Sequence, residues 1–370
     1  DIKKFGPYQN LVSDGAAAFQ HDGSHAMPYG RKNKDNPYIE AFWKWWKAEL
    51  QYTLRELRVT GGEPAMSPDF WKLMDWWKRN PECNVPFAVN SNLGLKKELL
   101  DELISSSHNF KEFNLYTSCE AFGEQAEYIR HGLNWDTWLH NMHRVNREAK
   151  MKSINVMMTI NSLCLFSITD FMDEMLKLKN LYGHDAAVMS FNILRFPSFQ
   201  SIVTLPMEIR KERASHIEDW LEKNWKNGKN GLIEMEKDGI TRLIQYIKTV
   251  NTGHEFTSSI ETRERDFKSF YTQYDKRRNK DILQTFPQLR DWWNSIPDTN
   301  LNKVKKLANG DDAKSNRYVK EVLHQASREG WILKPQAGNP GAEDFIQPDT
   351  EHQDDMLDLI KNLDNHNEKK

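Results

Sequence analysis

Cysteine is scarce in this chain of 370 residues, which carries only Cys83, Cys119 and Cys164, far apart from one another. They form no CxxC, no CxxxCxxC and no disulfide framework, so a stapled secreted fold is excluded and a reducing, cytoplasmic setting is expected. An excess of charge is lacking too: 51 basic residues face 53 acidic ones, for a formal net charge of −2. No basic face follows from such a balance, and no nucleic-acid partner is expected. Long apolar runs are absent. The longest, around residues 155–166, is interrupted by Asn, Thr and Ser and is too short to cross a bilayer, so no membrane partner is expected. The start shows no signal-peptide pattern, and no fixed-period repeat runs through the chain.

Tryptophan, by contrast, is abundant, with 13 copies. Trp43, Trp45 and Trp46, then Trp71, Trp76 and Trp77, recur at helical spacing, which reads as packing of helices on a core. Stacking on a sugar ring or a base is the alternative reading.

The order of apolar patterns sets the fold class. Residues 1–37 are rich in Gly, Asn, Asp and His and read as loop. Ile39, Phe42, Trp43, Trp46 and Leu50 then mark a helix. Strand patterns at about 54–60, 85–92, 110–118, 154–161 and 186–196 alternate with helical ones, including a helix started by Ser67-Pro68 and another capped by Asn134. Such alternation predicts an α/β fold on a parallel sheet, with too few units for a full eight-fold barrel. A partial barrel and an open doubly wound sheet both satisfy the pattern. Beyond residue 205 helical segments dominate: Met207 to Trp225, Ile240 to Val250, Glu261 to Lys280 and Tyr318 to Glu329. The chain thus divides into a leading segment (1–50), a core (51–205), a helical region (206–334) and an acidic tail (335–370) with a short amphipathic helix around Met356 to Leu363.

Ligands of parallel α/β proteins sit at the C-terminal ends of the strands. There this sequence places Gly61-Gly62-Glu63-Pro64, then Asn90, Ser91 and Asn92, then Ser118 and Glu120, then Asn161 and finally Arg195. Glycine permits positive φ and close approach of a ligand to bare backbone. Two carbonyls and a carboxylate at a strand end suit a cation such as an ammonium group, and Pro64 fixes the exit geometry. A tight strand-to-helix turn accounts for the same glycines.

"LRVTGGEP", "VPFAVNSN" and "LYTSCEAFGEQAEYIRHGLNWDTWLHNM", in that order, resemble the core of radical S-adenosylmethionine (radical SAM) enzymes over roughly residues 50–200. The likeness is to uncharacterised members with a twitch-type domain, many from bacteriophages. It implies a partial (β/α)6 TIM-like barrel lacking its first strand here, with a mostly helical C-terminal region. It also implies SAM as cofactor, with Gly61, Gly62, Glu63 and Pro64 around the methionine ammonium, and Ser118 and Arg130 handling its carboxylate and ribose. Glu120 stands where the family often has Asp, and Asn161 and Asn90 are further contacts. An arginine fork suits a carboxylate because two parallel charge-assisted bonds form. The implied activity is reductive cleavage of SAM at a [4Fe–4S] cluster to give a 5′-deoxyadenosyl radical. A reductant protein would donate the electron, and the substrate could be a peptide, a nucleotide or a small metabolite.

The departure from the family is the missing CxxxCxxC, whose thiolates such clusters require. Together with the missing first strand, this gives the expectation of an N-terminally truncated chain with its cluster ligands upstream, and so inactive alone. A cluster-less binding or scaffold protein is the alternative. A third reading pairs Glu63 with Glu120 as a glycoside hydrolase's carboxylates, which would need to lie about 5 Å apart, or somewhat wider for inversion. The pairs His21/His25 and His140/His143 have metal-like spacing but read as loop and solvated helix face.

Overall fold

In a computed structural model the described residues are 2–20, 36–225, 231–250, 252 and 255–297. Five strands form one sheet: β1 (Leu57–Val59), β2 (Phe87–Asn90), β3 (Phe113–Ser118), β4 (Ser153–Ile160) and β5 (Val188–Ile193). All neighbours are parallel and the spatial order is the chain order, β1-β2-β3-β4-β5. A doubly wound sheet would reverse its order at a switch point. This one does not, so the α/β fold is singly wound, as in a partial TIM-like barrel.

Helices cover one face. α1 (Pro37–Trp45) precedes β1, and α2 (Pro68–Arg79), α3 (Lys97–Ser107), α5 (Trp135–Glu148) and α6 (Ile168–Tyr182) are the crossovers, with the short α4 (Gly123–Ile129) between β3 and α5. Local chemistry sets their ends. Asn36 and Asn134 accept the N–H groups of Tyr38 and Thr137 as caps. Ser67 stands at the start of α2 as expected, yet its side chain accepts no capping bond; Pro68 at the first helical position is what fits there. α7 (Met207–Trp225), α8 (Glu234–Ile247) and α9 (Ile260–Arg278) follow β5.

The tryptophans do pack. Trp46 and Trp77 are fully buried with ring centroids 5.0 Å apart, and Trp77 lies 5.3 Å from Phe87 of β2. Trp45 is the exception, exposed and bonded to Glu49. The expected helix at Tyr318 to Glu329, the tail from 335, and His21 and His25 lie outside the described residues. Among the described residues no helix is long and apolar enough to cross a membrane.

Candidate functional site

Strand alternation divides the sheet's side chains between two unlike faces. Phe87, Leu115, Thr117, Val156 and Met189 point to the helices; Trp138 of α5 donates its indole N–H to Thr117 Oγ1 at 3.1 Å. The other face carries Arg58, Asn90, Asn114, Tyr116, Ser118, Ser153, Asn155, Met157, Thr159, Ser190 and Asn192, all in register. The strands are therefore two-sided, apolar toward the helices and polar on the opposite face. Parallel sheets buried on both faces read as continuous hydrophobic runs, whereas "FNLYTS" and "INVMMT" alternate. That alternation was the signal.

Polar bonds tie this inner face together. Arg58 Nη2 donates to Tyr116 Oη at 2.8 Å, with its guanidinium 4.1 Å from the Tyr116 ring. Ser153 Oγ donates to Asn114 Oδ1 at 3.0 Å, and Asn155 Nδ2 to Ser153 Oγ at 2.8 Å. Asn90 Nδ2 reaches Met157 Sδ at 3.7 Å, while Asn90 Oδ1 is buried without a partner. An orphaned buried acceptor costs free energy unless a ligand or water donor meets it.

At the C-terminal rim two carboxylates each join adjacent strand ends. Glu63, just past β1, accepts Ser91 Oγ at 3.0 Å and the Asn92 N–H at 2.8 Å, both just past β2. Burial raises the Glu63 carboxyl above its usual range, against these bonds. Glu120, past β3 and 2% exposed, accepts the Thr159 N–H of β4 and both Nε and Nη2 of Arg130, at 2.8 and 2.6 Å. The fork expected to be free for a ligand carboxylate is thus held by Glu120, leaving Nη1. Sequence reasoning named both residues and missed that they pair.

Gly61 and Gly62 have φ of +93° and +37°, and a Cβ at either would meet nothing within 4 Å. Backbone conformation, rather than lack of room, calls for glycine here. With Glu63, Pro64 and Arg58 they line a cavity of 710 Å³ whose other wall is Ile39, Phe42 and Trp43 of α1. Asn90, Ser118, Glu120, Arg130 and Asn161 are not among its walls. Ser118 ends β3 half-buried on the inner face. Asn161 is buried, and its Oδ1 caps the turn at Ser162–Phe166 by accepting the Leu163 N–H at 2.9 Å. Its oxygen therefore has a structural task. The glycosidase pairing is not supported: Glu63 and Glu120 serve separate networks, and Glu120 is neutralised by Arg130.

The thiols do not fit an iron–sulfur cluster. All three are free and buried, and burial raises their pKa values, that of Cys119 to about 12. Among the described residues no three Cys, His, Asp or Glu side chains form a metal-binding group. His143 Nδ1 lies 3.0 Å from Tyr182 Oη, and its partner His140 is exposed.

No protein-family model matches the chain, and no curated protein matches it. Among solved structures, SuiB from Streptococcus suis, bound to S-adenosylmethionine, is similar over 54% of this chain and 44% of its own, at 13% identity and TM-score 0.37. The chain therefore spans less than half of SuiB's length. A domain of pyruvate-formate lyase-activating enzyme from Bacteroides vulgatus is similar over 44% of this chain and 93% of its own, at 16% identity and TM-score 0.31. Likeness this distant carries no argument about chemistry, which rests on the residues themselves.

Proposed function

We propose that residues 51–205 are the S-adenosylmethionine-binding core of a radical SAM-type enzyme. The observation that carries this reading is the Gly61-Gly62 turn, in positive φ beside Glu63 at a strand end and open to a cavity. It is the feature that the sequence resemblance ties to the methionine ammonium. A carboxylate has about four acceptor sites, and Glu63 Oε1 is engaged only by a long 3.4 Å contact from the Ala65 N–H. Capacity for an ammonium remains. The orphan Asn90 Oδ1 offers a further acceptor on the inner face. Arg130 contributes only what Glu120 leaves, so its hold on the ligand's carboxylate is weaker than a free fork's.

When bound, a [4Fe–4S] cluster supplies the electron for SAM cleavage, but these residues do not hold one. Its ligands would have to come from outside this chain, and we assign the chain binding and orientation only. A cluster-less SAM-binding protein is the second reading, favoured by thiols that are buried and held above their ordinary pKa.

Calorimetric titration with SAM tests the proposal. Saturable binding that falls at least about tenfold, or 1.4 kcal/mol, in Glu63→Gln is expected. No binding up to about 1 mM SAM, a free energy near −4 kcal/mol, would remove it.

A further inference from the structure

Away from the sheet, the start of α9 borders a second hollow, of 750 Å³. Arg263 lies in its wall, in the first turn of α9, and is only 3% exposed. Its Nη2 donates to Thr252 Oγ1 at 3.0 Å and its guanidinium lies 4.8 Å from the Phe256 ring. Nε and Nη1 are buried and have no partner. A buried cation with two unmet donors is costly unless something anionic meets it.

The surroundings add positive character. Arg210, 6% exposed, lines the same hollow and gives its Nε and Nη1 to the carbonyls of Leu205, Ile247 and Thr249. Desolvation, and then the Arg263 charge, pull Arg210 below its ordinary pKa. The N-terminal end of a 19-residue helix adds its own partial charge. Three carboxylates stand near Arg263 and each has other partners: Asp14 accepts the N–H and hydroxyl of both Thr257 and Ser258, Glu255 pairs with Arg195 and accepts the Tyr246 hydroxyl, and Glu264 accepts the Trp292 indole N–H.

We propose that this hollow binds the phosphate group of a small phosphate monoester, with Arg263 as its main contact and Arg210 behind it. Two guanidiniums in one wall match a dianion better than a monocarboxylate. Val203, Val250 and Phe256 give an apolar wall for the rest of the molecule, and the volume is that of a small-molecule site. The site is separate from the Gly61-Gly62 rim and stands whether or not that rim binds SAM.

The test titrates the 370-residue chain with phenyl phosphate, inorganic phosphate and benzoate at constant ionic strength, followed by thermal shift and 31P NMR. Phenyl phosphate should bind saturably and at least tenfold more tightly than benzoate or inorganic phosphate. Arg263→Gln should weaken it tenfold or more. Should that variant not fold, Val250→Glu decides, because Val250 is 81% exposed on the rim and a new carboxylate there should repel the ligand. No saturable response, equal binding of benzoate or inorganic phosphate, or unchanged affinity in Val250→Glu would each overturn the proposal.

Discussion

The ammonium of Lys179 lies 2.6 Å from both oxygens of Glu236, and neither side chain has any exposure. Glu236 also accepts the N–H of Met189 in β5 at 2.8 Å and that of Ile233 at 2.9 Å, while Lys179 donates to the Gly231 carbonyl. The pair thereby fastens α6 to α8 and closes the outer edge of β5. Removing one partner of a buried pair leaves a bare charge, so Glu236→Leu should cost about 3–5 kcal/mol in urea unfolding. Lys179→Met combined with Glu236→Leu should recover part of that loss. A single variant as stable as the parent would show that the pair does not hold the edge.

Stability should also respond to pH through Asp266. This buried carboxylate accepts the Val12 and Ser13 N–H groups, each at 2.6 Å, and desolvation raises its pKa from 3.8 to about 6. A raised acid favours the folded state below its unfolded pKa and loses that contribution as pH climbs through the folded value. Asp266→Asn should therefore gain on the parent between about pH 4 and pH 6, by at most about 3 kcal/mol at 1.36 kcal/mol per unit, with no further gain above that. Melting both proteins across that range checks the sign. A constant gap between them would refute it.

Gly61→Ala separates room from conformation at the β1 turn. The methyl meets nothing within 4 Å, so the cost is that of φ +93°, on the order of 1 kcal/mol. SAM affinity should fall alongside stability if the turn presents its carbonyls to the ligand. An unchanged SAM dissociation constant in a destabilised variant would detach the turn from binding.

The cysteines give a chemical test. Cys119 and Cys164 should resist alkylation by iodoacetamide in the native protein at pH 8 and react only on unfolding, because both are completely buried with raised pKa values. Reconstitution of the chain with iron and sulfide should yield no [4Fe–4S] absorption band. A stable band would show that ligands are recruited from residues that now lie apart.

Much of the architecture was legible in local pattern. α7 runs from Met207 to Trp225 as its spacing predicts, and Asn134 caps α5 as its position before Trp135 requires. Strand centres were also found, though β1 and β5 are shorter than the runs that predict them. The site was legible only in part. Glu120 and Arg130 were each picked out, but nothing in the string says that they meet ten positions apart. Lys179 with Glu236, and Arg58 with Tyr116, lie 57 and 58 positions apart, and only the closed fold brings them together.

The two-sided sheet has one more consequence. Leu115, Val156 and Met189 anchor it to helices from behind, so the wettable side, with Tyr116, Met157 and Asn192, bears little of the folding burden. Shell and contents are decoupled: the hollow can be relined for a different molecule while the scaffold that shapes it stays put.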